Sequence, residues 1–299
     1  MAQSDIGASF RVETLAIVGV GLIGGSVAAA LRERGAVGRV LGVGRHPHSL
    51  AQARQLGLID EAVTLVQAAA RADVILLAAP VAAIETLLAE LNPHLRPDTL
   101  VSDVGSTKAN VVAAARKVLG ARMNQFLAAH PIAGAEQTGP GAADAALFEG
   151  RTVVLTPTDE ATAAARTRLT RLWEHCGARV VVMDPESHDR ALASVSHLPH
   201  FLSAVFMAQV AGASDADRRL GLAGTGFRDF TRIAAGSPEV WRDIFLANRS
   251  AVLAELQGFK SELDDLERAL ETGDGQALFD FLERAAVARR FWGSRSGLS

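Results

Sequence analysis

The feature that most constrains this chain is a glycine run, Gly19-Val20-Gly21-Leu22-Ile23-Gly24. It stands at the end of a short apolar stretch, Leu15 to Gly19, and leads into a helical one, Ser26 to Arg34, closed by Gly35. A buried strand that turns this tightly into a helix needs glycine where the backbone must bend and where helix and strand must touch. The helix start then presents free N–H groups and a partial positive charge, which suits a pyrophosphate. A bare GxGxxG is weak evidence, and its place in the first βα turn of a βαβ unit is what makes it a dinucleotide fingerprint. Gly19, Gly21, Leu22, Ile23 and Gly24 are therefore candidate cofactor-binding residues. The alternative is a glycine-rich turn that binds nothing.

The rest of the first half supports the fingerprint. Val40 to Val43 reads as a second strand, His48 to Leu56 as a helix capped by Gly57, and Asp73 to Ala79 as an apolar strand closed by Pro80. Ile84 to Leu91 and Lys108 to Leu119 read as helices. Strands are expected at Leu100 to Val104, Gln125 to Ala129, Thr152 to Thr156 and Arg179 to Met183, with a helix over Glu160 to Cys176. Strands apolar throughout, alternating with helices, predict a parallel sheet covered on both faces. Beyond Asp184 no convincing strand remains. A long apolar helix is expected over Ser187 to Ala211, kinked at Pro199. Phe227 to Ala235 is a shorter helix. Ser237-Pro238-Glu239 is a helix start with Ser as cap and Pro first, and that helix could run to about Thr272. Gly273-Asp274-Gly275 breaks the chain before a last helix, Gln276 to Trp292. The expected fold class is an α/β N-terminal Rossmann-type doubly wound sheet, residues 1–185, followed by an all-α C-terminal domain, residues 186–299.

Composition narrows the function. The net charge of −3 excludes a broad basic footprint for nucleic acid or anionic lipid. One cysteine, Cys176, permits no internal disulfide and suits a reducing cytoplasm. Met1 to Val12 has mixed charge and no apolar run, unlike a signal peptide. Leu15 to Leu31 is apolar but carries four glycines and falls short of a membrane span. A soluble, cytoplasmic protein acting on a small molecule is expected, with no metal.

Cofactor choice turns on the end of the second strand, Gly42-Val43-Gly44-Arg45-His46. An acid there would hold the ribose 2′-hydroxyl of NAD. Gly44 occupies its place, and Arg45, with His46 beside it, can pair with a 2′-phosphate. This favours NADP, with NAD as the alternative if Arg45 is only a surface arginine. Two more loops follow strand ends, where ligands bind in open α/β sheets. Asp103-Val104-Gly105-Ser106-Thr107-Lys108 holds Ser106, and His130-Pro131-Ile132-Ala133-Gly134-Ala135-Glu136 holds a histidine able to take a proton near neutral pH. Ser106 could orient that histidine or a substrate alcohol. Lys108 reads as a solvated charge in a first helical turn. In the helical half, Ser196-His197-Leu198-Pro199-His200 is the densest polar cluster, with an interhelical hydrogen bond as its plainer explanation. Arg228 and Arg232 stand one helical turn apart, as do Thr225 and Asp229, so an arginine held by Asp229 can grip a carboxylate or simply form a helix salt bridge. Trp241-Arg242-Asp243 reads as core and surface.

With these residues in view, the chain resembles the prephenate/arogenate (cyclohexadienyl) dehydrogenases, the TyrA family. The matching segments are GVGLIGGS (19–26), DVGSTK (103–108), HPIAG (130–134), SHLPH (196–200), FRDFTRIA (227–234) and WRDIFLAN (241–248), in the family's order. The resemblance implies oxidative decarboxylation of prephenate or arogenate with NAD(P), as a homodimer joined through the helical domain. It implies that His130 accepts the ring-hydroxyl proton and that Ser106 orients that group beside the cofactor. It makes Arg232 and His200 substrate-binding, Ser196 and His197 supporting residues, and Glu136, Arg228 and Asp229 a charged network at the cleft mouth. Relatives that use NAD carry Asp where Gly44 stands. No regulatory or mutase module is expected on either side, so feedback by tyrosine would act at the active site. Two rivals stand beside this reading. A β-hydroxyacid dehydrogenase or imine reductase would want a lysine among the polar clusters of the helical half, where only Lys260 is found, outside them. A non-catalytic nucleotide sensor explains the glycine loop but not Ser106, His130, His200 and Arg232 together.

Overall fold

Apolar runs too short for helices become the strands of the first sheet. In chain order the structure runs β1 (Val12–Val18), α1 (Leu22–Glu33), β2 (Val37–Val43), α2 (Pro47–Gln55), β3 (Glu61–Ala62), α3 (Leu65–Arg71), β4 (Val74–Leu77), α4 (Ile84–Leu91), β5 (Leu100–Asp103) and α5 (Ala109–Leu119). This computed structural model describes residues 10–134 and 137–296. The five strands form a parallel sheet in the order β3-β2-β1-β4-β5. Successive residues of β1 serve opposite cores. Leu15 and Ile17 pack with Val27 and Leu31 of α1, whereas Ala16 and Val18 join Leu88 of α4 and Val111 of α5. Each such buried aliphatic side chain contributes roughly 1.5–3 kcal/mol. Strand order reverses beside β1, so a crevice opens at the carboxyl ends of β1 and β4.

A second, three-stranded sheet follows: β6 (Ala128–Pro131), β7 (Thr152–Thr156) and, after α6 (Ala163–Glu174), β8 (Arg179–Val182). Here the expectation of a wholly parallel arrangement is corrected, because β6 runs antiparallel to β7. The strand expected at Gln125 also starts later. Gln125 is buried, and its amide donates to the carbonyls of Arg96, Pro97 and Thr99. It closes a 3₁₀ turn, and a single bridge, Phe126 to Val101, links the chain to β5. His130 therefore lies within β6, paired in register with Val154, not in the loop behind a strand.

The remainder is helical: α7 (Pro185–Leu192), α8 (Leu198–Ala211), α9 (Ala216–Gly221), α10 (Thr225–Thr231), α11 (Pro238–Ala247), α12 (Arg249–Thr272) and α13 (Gly275–Ser296). The expected kink at Pro199 takes the form of a π turn over Ala193–His197 joining α7 to α8. Proline has no N–H to continue the ladder, and a widened turn ahead of it absorbs the loss. The joined segment Pro185–Ala211 is long and apolar enough to cross a membrane by length and composition alone. It also buries His188, Asp189, His197 and His200. The helix expected to run from Glu239 to Thr272 is interrupted at Asn248, whose backbone leaves the helical region. The chain divides into two compact units after Arg249. In the second unit, α12 and α13 meet at Gly273, with φ of 67°, and Asp274, whose carboxylate accepts the Ala277 N–H at 3.0 Å.

Candidate active site

The glycine loop is built for a close approach. Gly19 takes a φ of 99°, and a Cβ there would lie 2.2 Å from the Ala78 carbonyl oxygen, so no other residue fits. A Cβ on Gly24 would meet the Gly19 oxygen at 2.4 Å, while one on Gly21 would project into open space. The first bond inside α1 runs from the Gly25 N–H to the Gly21 carbonyl, leaving the N–H groups of Leu22, Ile23 and Gly24 without an acceptor in the helix. No acidic residue occupies the first turn to compete for them. A cavity of about 580 Å³ lies against Gly19, Gly21, Gly44, Arg45 and His46, with Leu50, Leu65 and Leu87 as apolar walls. A second, of about 770 Å³, runs past Gly21, Leu22, Ile23 and Gly24 to Ser106 and on to Val240 and Ile244. Donors at one wall, an exposed arginine and an apolar slot match a dinucleotide's pyrophosphate, ribose and base.

Beside this crevice lies a buried polar network. His130 Nδ1 is 2.9 Å from Nε2 of His188 on α7, and His188 Nδ1 is 2.8 Å from the Asp189 carboxylate. That carboxylate also accepts the backbone N–H groups of Lys108 and Ala109, at 2.7 and 2.9 Å, where α5 begins. Lys108 is not the solvated charge expected from the sequence. It is wholly buried, and its ammonium donates to the Asp103 carboxylate and, at 2.8 Å, to the Ala129 carbonyl. Asp103 accepts further from the N–H groups of Gly105 and Ala129, at 2.8 and 3.2 Å. Burial holds His130 well below the usual imidazole range, and the charges of Lys108, His188 and His197 add to the effect. His130 is thus a neutral ring at pH 7, able to take a proton.

The helical residues form two further groups. The Asn248 amide donates to the Asp189 carbonyl at 2.7 Å and to His197 Nδ1 at 3.0 Å. Burial pushes His197 down to about 4. His200 stacks on Trp241, with ring centroids 3.5 Å apart and planes at 13°, beside Gly236. Ser196 is half-buried on the π turn, while Arg228, Asp229 and Arg232 are exposed on α10 and the 3₁₀ turn behind it. Glu136 lies outside the described residues. The structure gathers Gly19, Gly21, Leu22, Ile23, Gly24, Gly44, Arg45, His46 and Ser106 along one crevice. It does not join Ser106 to His130 by a hydrogen bond; the residue bonded to His130 is His188. The sequence reading missed His188, Asp189 and Asn248. The first two stand in the polar start of a helix, Pro185-Glu186-Ser187-His188-Asp189-Arg190, which carries no local signal for burial.

A nucleotide crevice next to a buried neutral histidine defines a dehydrogenase. A family model described as "Prephenate dehydrogenase, nucleotide-binding domain" matches residues 27–182, and one described as "Prephenate dehydrogenase, dimerization domain" matches residues 184–284. The chain is 34% identical over 278 residues to the cyclohexadienyl dehydrogenase of Zymomonas mobilis, covering 92% of this chain and 94% of that one. The crystal structure of the A. aeolicus prephenate dehydrogenase, in complex with hydroxyphenyl propionate and NAD+, superposes with a TM-score of 0.89 at 34% identity, covering 95% of this chain and 99% of that one. Synechocystis arogenate dehydrogenase gives a TM-score of 0.81 at 32% identity, over 93% and 99% of the two chains. This chain belongs to the prephenate dehydrogenase family and is an NAD(P)-dependent dehydrogenase.

Proposed function

We propose that this enzyme oxidises and decarboxylates prephenate, arogenate or both in tyrosine biosynthesis, with NADP preferred to NAD. The observation that carries the reading is a neutral, hydrogen-bonded His130 on a strand tied through Asp103 to Gly105, which lines the dinucleotide crevice. Bound NAD(P) supplies the hydride acceptor. His130 takes the ring-hydroxyl proton as the carbinol C–H bond breaks and the carbonyl forms. Loss of the ring carboxylate as CO2 then sends its electron pair into the ring, and the phenolate oxygen recovers the proton from His130. Ser106 orients the hydroxyl. His200, Arg232, Ser196, His197, Asp229 and Glu136 hold the substrate, and residues 186–299 form the substrate and dimer domain behind a nucleotide domain of residues 1–185.

Arg45 is exposed at the crevice, and a Cβ at Gly44 would lie 3.3 Å from Leu50, so a side chain there needs Leu50 to give slightly. A two-by-two assay of prephenate and arogenate with NADP and NAD should show the strongest turnover with NADP. Arg45→Ala should raise the NADP KM about tenfold, a loss of about 1.4 kcal/mol, and barely change that for NAD. Gly44→Asp should tip the preference to NAD. Wild-type turnover with NAD alone would discard the Arg45 argument and keep the family function.

We also infer a cytoplasmic homodimer. Support comes from the dimerization-domain match and from apolar side chains left exposed along the helices, among them Val205, Phe206, Leu246, Leu253, Phe279 and Leu282. Size-exclusion chromatography with light scattering should give twice the chain mass of 31.4 kDa, and a monomer would remove the claim.

A further inference from the structure

We infer that His188 and Asp189 are positioning residues that fix His130 in its Nδ1–H tautomer, leaving Nε2 as the bare nitrogen that takes the proton. The inference rests on the reading of His130 as proton acceptor. It follows from counting donors along the chain of contacts. Asp189 Oδ1 and Oδ2 accept the N–H groups of Lys108 and Ala109 at the start of α5. That site, at the positive end of an eleven-residue helix, demands an ionised carboxylate. Burial pushes the Asp189 carboxyl upward, and the hydrogen bonds of His188, Ala109 and Lys108 outweigh it, so the group titrates below the usual carboxylate range. An ionised carboxylate has no hydrogen to give, so the proton between Asp189 and His188, 2.8 Å apart, belongs to His188 Nδ1. A neutral His188 then offers only an acceptor at Nε2. The proton across the 2.9 Å contact must therefore be on His130 Nδ1. Two rings away from the carboxylate, the tautomer of the base is decided.

The same arrangement serves the charged form. Once His130 has taken a proton at Nε2, its Nδ1–H still donates to His188, with the Asp189 carboxylate behind. The positive charge appears at a place already furnished with a counter-charge, and no group has to turn. Lys108 and His197 face the ring as cationic or neutral groups, and Asp103 neutralises Lys108 on its far side. Asp189 is itself held from a third direction, its carbonyl accepting the Asn248 amide. A tie serving only to join α7 to α5 would end at Asp189 and would have no need of the second ring.

The test uses the full chain with ¹⁵N-labelled histidine at pH 7.5, the His130 signals being identified by their loss in His130→Asn. Wild type should show His130 Nδ1 protonated and Nε2 bare. Asp189→Asn, whose amide can donate to His188 Nδ1 and reverse the chain, should mix or invert that pattern and lower kcat about 10²–10³-fold, with KM for substrate and cofactor changed less than about threefold. His188→Leu should lower kcat similarly. His188→Gln, whose amide oxygen can accept the Nδ1 proton, should recover most of that loss. A wild-type His130 protonated at Nε2, or an unchanged tautomer in Asp189→Asn, would overturn the inference. The spectrum is independent of the reaction: the expected tautomer in a protein inert towards both substrates would instead discard the proposed function.

Discussion

His130→Asn is expected to bind NADP with an unchanged Kd and to lose turnover by about 10³-fold. Removing a general base costs about 10²–10⁴ in rate, and 10³ corresponds to about 4 kcal/mol of transition-state stabilisation. Asparagine is the informative choice. Its amide can still hydrogen-bond to His188, 2.9 Å from the present ring, so the network and the fold survive, but it cannot take a proton. Fluorescence titration of the cofactor and single-turnover kinetics separate the two effects, and retained turnover would remove His130 from its role. The wild-type pH profile belongs to the same prediction. Burial first, then the charges of Lys108, His188 and His197, hold His130 well below its usual 6.5. Falling pH protonates the base, so the acid limb of kcat/KM should fall below pH 6.5. Stability should move with it. Both His130 and His197, the latter at about 4, bind a proton less readily folded than unfolded. Their stabilising contribution is complete above about pH 6.5 and is lost as pH falls through that value toward 4.

The elements legible in the sequence were those whose cause is local. β7 begins and ends where its apolar run does, and α11 starts at Ser237, whose side chain accepts the Val240 N–H. One local signal was overlooked. Thr64 and Gln67 form a reciprocal capping box, and the seven-residue helix α3 behind it went unread. The other departures have distant causes. Asn248 breaks a helical pattern because its amide is claimed by residues 59 and 51 positions away. His188 and Asp189 sit in what reads as a polar first turn, after Asp184 as cap and Pro185, and solvent is the ordinary expectation there. Only the fold brings them against a strand residue 58 positions earlier. The cofactor loop was readable because its signature, glycines at fixed spacing between a strand and a helix, is local, although Gly19 also packs against Ala78 at a distant strand end.

Lys108 is where the local reading went furthest astray, and it carries the largest expected effect on stability. Lys108→Met should lower the free energy of unfolding by about 3–5 kcal/mol, the usual result of removing one partner of a buried ion pair. The methionine fills the space, so the loss is not chiefly a cavity. It comes from the Asp103 carboxylate, wholly buried and left with only the Gly105 and Ala129 N–H groups. The Ala129 carbonyl loses its donor at the same time, next to His130. Asp103→Asn combined with Lys108→Met removes the uncompensated charge and keeps an acceptor for one of the two N–H groups, which use different carboxylate oxygens. The double variant should therefore recover more than half of the loss in denaturant unfolding, a coupling the cycle measures directly. A loss below about 1 kcal/mol in the single variant would mean that Asp103 takes up a proton at little cost and that the pair is not what holds β5 to β6. The variant also probes the base. With the Lys108 charge gone, His130 is relieved of one of the cations that depress it, so its pKa should rise. The acid limb of kcat/KM should then move to higher pH, in the folded fraction, by an amount that separates the charge of Lys108 from the effect of burial.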